Sequence, residues 1–188
     1  MTASKSRSPL IVGIAGNTHR PSKTRALVQT VVDKIEARYS VAGRIYDLLD
    51  VPELGQALDH TGIVGKLADT IARIESADIL VVGSPVYKGS YTGLFKHLFD
   101  LVGQDKLVGK PVILTASGGG DRHALVVEHQ LRPLFGFFAA HSMATAIYVN
   151  DADFADGKIK SEPALKRIDC AVAELRAWLA PFVKAPAA

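Results

Sequence analysis

Short apolar runs alternate along this chain with stretches whose apolar residues recur every three or four positions. The first run covers residues 10–15, and helical spacing follows in Leu27, Val28, Val31, Val32 and Ile35. A shorter run occupies 44–48. A helix is predicted over 64–77, then an apolar run at 79–83. Leu94, Phe95, Leu98 and Leu101 mark a further helix ahead of the run at 111–115. A long helix is predicted over 122–140 and a last strand over 144–149. Ser161 is placed to cap a final helix, with Pro163 tolerated in its first turn. Leu165, Ile168, Val172, Leu175, Leu179 and Phe182 share one face of that helix.

Strands that are apolar almost throughout bury both faces, as in a parallel sheet covered by helices. Five strand–helix units in alternation predict an α/β, doubly wound, three-layer domain over 9–184. Residues 1–8 and 185–188 read as tails. Segments 50–62 and 150–160 read as loops. The second is acidic enough to be a plain solvated connection, with a lid or an oligomer contact as alternatives.

Composition narrows the class. The chain has 188 residues, 48% hydrophobic and 22% charged, which excludes disorder and a fibrous protein. The net charge of +3 comes with no basic run, so nucleic-acid binding is not expected. No apolar run approaches the roughly 18 residues of a membrane span. The single cysteine, Cys170, allows no intrachain disulfide, which is compatible with a reducing cytoplasm. Its helical setting reads as that of a small core residue.

The candidate chemistry lies where strands end. The first strand runs into a loop containing Asn17, Thr18, Arg20, Ser22, Lys23 and Thr24, and then a helix begins. A helix start offers unpaired amides and the positive end of a dipole, both favourable to phosphate. Short polar side chains and two cations add to this. A dinucleotide fingerprint is excluded because only Gly13 and Gly16 are present. A nucleotide P-loop would place Asn17 and Ser22 where glycines belong. What fits is the hydroxyl-rich, single-phosphate loop of flavodoxin-like proteins; the plainer reading is a loop with Ser22 as helix cap. The third strand ends in Pro85, Val86, Tyr87, Lys88, Gly89 and Ser90, a stiff turn whose outward amides suit the polar edge of a flat ring. The fourth ends in Ser117, Gly118 and Gly119, where the backbone can approach a planar ligand closely. Open α/β sheets bind ligands at these carboxyl ends.

The stretches 15–24, 84–93 and 117–119 resemble the NAD(P)H-dependent FMN reductases, in particular the alkanesulfonate and methanesulfonate FMN reductases. The resemblance spans about 10–182. It implies a flavodoxin-like fold with strand order 2-1-3-4-5, FMN as flavin and NADH or NADPH as reductant. By it, residues 17–24 hold the FMN phosphate, and 85–90 with 117–119 hold the isoalloxazine ring. Asn17 stands where many relatives carry serine, and its amide is expected to donate to the phosphate. The resemblance further implies a cytoplasmic enzyme, a homodimer or homotetramer, that passes FMNH2 to a partner monooxygenase in organosulfur assimilation. The rivals are a flavin-retaining quinone or azo reductase and a flavodoxin-type electron carrier.

The predicted long helix contains Pro133, which crowds the carbonyl of His129. A local π-bulge is the natural outlet. Its apolar residues run almost all round, which predicts burial in a subunit interface. In two-component FMN reductases the matching residue forms a π-helix at a tetramer interface, so the resemblance makes His129 a modulator of flavin exchange. The alternative is an interface histidine with no part in turnover. No strictly catalytic side chain and no metal site is expected.

Overall fold

A computed structural model describes residues 7–182. The tail at 185–188 and most of the one at 1–8 lie outside these residues. Arg7 is not part of a free tail: its guanidinium grips Asp78 through two bonds of 2.7 Å. Asp78 also accepts from the Leu10 N–H at 2.8 Å, which fixes the entry into the first strand.

The parallel strands β1 (Ile11–Ala15), β2 (Gly43–Asp47), β3 (Ile79–Pro85) and β4 (Pro111–Gly118) pair in the order β2-β1-β3-β4. The far edge is β5 (His141–Ser142) and then β6 (Ile147–Asn150), both parallel to β4. This is the flavodoxin-like order 2-1-3-4-5 with its fifth strand in two pieces. The continuous strand expected over 144–149 is corrected here. Arg132 Nη1 donates to the Met143 carbonyl at 3.0 Å and Arg167 Nε to that of Ala146 at 2.6 Å. The Thr145 N–H donates to Glu174 at 3.2 Å. Side chains satisfy the backbone that would otherwise have completed the ladder.

The pleat sorts the strand residues onto two cores. Ile11, Ala15, Ile79, Val81, Ile113 and Ile147 face α1 (Lys23–Tyr39) and the last helices. Val12, Ile14, Leu80, Val82 and Leu114 face the helices of the other layer, including α2 (Gly65–Ser76) and α3 (Gly93–Asp100). In that layer Phe95, Phe99 and Phe135 are fully buried, with neighbouring ring centroids 4.9 Å apart. The loop at 50–62 belongs to this core as well: it folds as short 3-10 turns that bury Val51, Leu54 and Ala57.

The predicted long helix is irregular. A 3-10 turn at Asp121–His123 leads into a π-helix at Val127–Leu131, and only then comes α4 (Arg132–Phe137). The widening lies just ahead of Pro133, whose missing N–H and bulk break the ordinary ladder. Leu125 and Phe137 remain 63% and 65% exposed on the single chain, in the helix that the sequence assigned to a subunit interface.

The segment 150–160 forms a 3-10 turn and a small antiparallel hairpin of β7 (Phe154–Ala155) and β8 (Lys158–Ile159). Ile159 anchors the hairpin in the core. The final helix runs as α5 (Glu162–Glu174), capped by Ser161 as expected, and α6 (Arg176–Leu179). Cys170 is exposed, which corrects its assignment to the core. It follows the buried Ile168 by two residues, about 200° around the helix.

Candidate functional site

Three strand-end loops converge on one cleft of about 360 Å3 above β1, β3 and β4. Its walls carry Asn17, Ser22, Lys23 and Thr24 from the first loop, Pro85, Val86 and Tyr87 from the second, and Ser117, Gly118 and Gly119 from the third. His19, Pro21 and Asp151 complete it. Thr18, Arg20, Lys88, Gly89 and Ser90 lie outside this wall, as does His129.

The start of α1 is built to meet an anion. Ser22 is the helix cap: its hydroxyl accepts from the Arg25 N–H at 3.2 Å. The N–H groups of Ser22, Lys23 and Thr24 have no acceptor among the described residues. These are the orphan donors of a helix N-terminus, and their residues line the cleft. At its floor the hydroxyls of Thr24 and Ser117 are 2.6 Å apart, joining the first and third loops. The Lys23 ammonium rests 2.8 Å from Asp151 in an exposed pair, and 5.7 Å from the Phe154 ring centroid. Such a pair is weak and leaves the lysine movable.

Arg20 and Asn17 are both tied to the carboxylate of Asp47. The Arg20 guanidinium bonds Asp47 through Nε at 2.7 Å and Nη2 at 2.6 Å, and Asp50 at 2.6 Å. These carboxylates hold its pKa above the ordinary arginine value, and its charge is already neutralised. For Asp50, burial opposes ionisation, but the Asp47 N–H and the Arg20 guanidinium together keep its carboxyl below the usual range. Asn17 is buried, and its amide nitrogen donates to the His19 carbonyl at 3.1 Å and to Asp47 at 3.2 Å. Two acceptors fix the orientation of that amide. The expected donor to a phosphate is therefore spent, and what remains is the buried, unpartnered Oδ1. With its nitrogen so engaged, the Asn17 group left open to a ligand is the acceptor Oδ1. Asp47, whose side chain is fully buried, organises this whole corner. A carboxylate closing the edge strand was its only trace in the sequence.

The second loop is a tight hairpin. Tyr87 and Ser90 exchange backbone bonds of 2.9 and 3.2 Å, with Lys88 and Gly89 at φ 53° and 83°. Positive φ at both central residues is the geometry that favours glycine. The Val86 N–H donates to the Ser117 carbonyl at 2.8 Å. The amides of Val86, Tyr87 and Ser90 are thus used inside the protein, against the expectation that this turn presents them outward. The Ser90 hydroxyl donates to Gln130 at 3.0 Å, tying the hairpin to the π-helix one residue from His129.

The third loop is held from the edge strand. Tyr148 donates its hydroxyl to the Gly120 carbonyl at 2.6 Å, and Asn150 Nδ2 bonds Asp121 at 2.5 Å. Burial, and then the charges of Asp121, Asp151 and Asp153, raise the Tyr148 pKa, so the phenol stays a donor well into the alkaline range. Neither Tyr148 nor Asp151 stood out in the sequence, because the parallel pairing of β6 with β4 is what brings Tyr148 behind the third loop and Asp151 to the cleft wall.

A family model described as NADPH-dependent FMN reductase matches residues 9–154, a span that contains all three loops. The chain belongs to that family. The enzyme is an NAD(P)H-dependent FMN oxidoreductase, with FMN and a nicotinamide nucleotide as its cofactors. It is 43% identical over 164 residues to the NADH-dependent FMN reductase SfnF of Pseudomonas fluorescens, covering 87% of this chain and 88% of that one. It is 44% identical over 159 residues to an FMN reductase (NADPH) of Pseudomonas aeruginosa, covering 84% and 86%. The structure of an oxidoreductase from Corynebacterium diphtheriae superposes on the reductase with a TM-score of 0.80 at 32% identity, covering 93% of this chain and 98% of that one. No helix among the described residues is long and apolar enough to cross a membrane.

Proposed function

We propose that this reductase binds FMN in the three-loop cleft, reduces it with NADH or NADPH, and releases FMNH2 to a partner flavin-dependent monooxygenase in cytoplasmic organosulfur assimilation. The observation that carries the binding mode is the set of N–H groups at Ser22, Lys23 and Thr24, without acceptors among the described residues, on residues that line the cleft. They suit a phosphate, with Lys23 swinging from Asp151 to add charge. The buried Asn17 Oδ1 suits a ribityl hydroxyl, since it lacks a partner and can only accept. Pro85, Val86, Tyr87 and the glycines at 118 and 119 form the flat walls for the ring.

Bound flavin supplies the two-electron chemistry, so no protein acid or nucleophile is required. The protein's work is to hold, orient and release. Release is where the π-helix enters: the Ser90–Gln130 bond lets a rearrangement around His129 reach the ring-side hairpin. The exposed Leu125 and Phe137 beside it suit a second copy of the chain, giving a homodimer or homotetramer. The name SfnF, carried by an NADH-dependent relative, supports a sulfur-related role.

Anaerobic mixing with each nicotinamide, with and without added FMN, tests this reading. The expected result is bleaching of added FMN over many turnovers per protein chain. A single turnover of tightly held flavin, followed by ping-pong transfer to quinones, points to a flavin-retaining reductase instead. Absence of bleaching excludes any NAD(P)H-driven reductase.

A further inference from the structure

A second cavity, of about 580 Å3, crosses the open edge of β2 on the far side of Asp47 from the flavin cleft. It extends from Arg25 on α1 past Arg44 and Tyr46 on β2 to Lys66 and Arg73 on α2. Arg44 and Tyr46 alternate with Ile45 along the strand, so they face the α2 side together. Lys66 and Arg73 are seven residues apart, two turns along one face of α2.

The charges are unbalanced. Arg44, Lys66 and Arg73 have no carboxylate partner among the described residues. Among the described residues Arg25 reaches only Asp47, at 3.8 Å, and its buried Nη1 has no partner. The lining of the groove carries four cations, Arg25, Arg44, Lys66 and Arg73, against the two carboxylates Asp50 and Asp69. An excess of two positive charges, with three of the four cations free of carboxylates, calls for a dianion. Three arginine forks suit phosphate oxygens better than a carboxylate surface would need. The volume is that of a nucleotide site, and Tyr46 supplies an aromatic wall.

We propose that this groove binds a nucleoside diphosphate group, with its pyrophosphate on Arg25, Arg44 and Arg73 and its base beside Tyr46. The same chemistry reaches it either as a free nucleotide or as the adenosine diphosphate half of the nicotinamide substrate. Because Arg25 and Asn17 share Asp47, an occupied groove is coupled to the flavin loop, and coupling acts in both directions.

The test is calorimetric titration of the full chain with ADP and with inorganic pyrophosphate, with and without excess FMN. The variants are Arg44→Gln and Arg73→Gln, both exposed, with melting temperature as the folding control. Each substitution is expected to weaken ADP and pyrophosphate binding about tenfold, the loss of one charge-assisted hydrogen bond, and to leave FMN binding without ADP unchanged. A parallel rise in KM for NADH or NADPH identifies the dinucleotide as the source; an unchanged KM with lost ADP binding identifies a free nucleotide. The proposal is overturned if neither probe binds at 5 mM, or if both variants bind ADP as the wild type does. These readouts do not depend on the flavin cleft, so its failure would show separately as absent FMN binding.

Discussion

Alanine at Gly118 should damage the three-loop cleft through Tyr148, and the size of the effect can be worked from the structure. A Cβ added at Gly118 would overlap the Tyr148 hydroxyl and sit 3.3 Å from Cζ and 3.6 Å from Cε2. The ring packs against the core and its hydroxyl is bonded to the Gly120 carbonyl, so it cannot yield while keeping that bond. Overpacking of this kind costs about 1–3 kcal/mol, and the lost hydrogen bond about 1 kcal/mol. Gly118→Ala should therefore destabilise the fold by about 2–4 kcal/mol, and Tyr148→Phe alone by about 1 kcal/mol. In the double variant the offending oxygen is gone and the nearest ring atom, at 3.3 Å, has only to shift slightly. Its stability should lie within about 1 kcal/mol of Tyr148→Phe alone, a strongly non-additive cycle. Urea unfolding of the four proteins at pH 7 measures the cycle, and FMN titration follows the cleft. Additive losses would refute the reasoning, because the cost would then come from the glycine backbone and not from Tyr148.

Three further expectations concern the frame around the cleft. Asp47→Asn keeps the shape but removes the charge on which Arg20 and Asn17 converge; urea unfolding should show a loss of about 2 kcal/mol, the worth of hydrogen bonds to a charged group. The folded-state pKa of Asp50 is depressed below its ordinary 3.8, so its contribution is complete above that value and is lost as pH falls through the folded value. The gap in urea midpoint between wild type and Asp50→Asn should accordingly be constant from pH 7 to 5 and close below about pH 4. Phe135→Ala empties the middle of a fully buried ring cluster and should cost about 3–5 kcal/mol by the same assay.

Much of this molecule was legible from pattern. Strands buried on both faces, separated by helices with an apolar stripe, specify a doubly wound sheet, and the hydroxyl-rich and glycine-rich strand ends meet at one cleft. Even the π-helix was readable, because a proline inside a helix perturbs a known carbonyl. What could not be read depended on partners distant in sequence. Arg20 looks like a phosphate ligand until Asp47 and Asp50 are folded against it. Asn17 looks like a donor until its nitrogen is seen to be taken by Asp47 and the His19 carbonyl. The broken fifth strand rests on Arg132, Arg167 and Glu174, none of them adjacent to it in the chain. Cys170 failed for a local reason: near an apolar stripe, two residues along the helix turn a side chain to solvent.

In the proposed binding mode the FMN phosphate sits on the free amides at the start of α1. Fluorescence titration with FMN and with riboflavin, which differ only in that phosphate, measures this directly. FMN should bind at least about tenfold more tightly, since several charge-assisted hydrogen bonds are made by the phosphate alone. Equal affinity for the two flavins would contradict the account and place the phosphate outside residues 17–24.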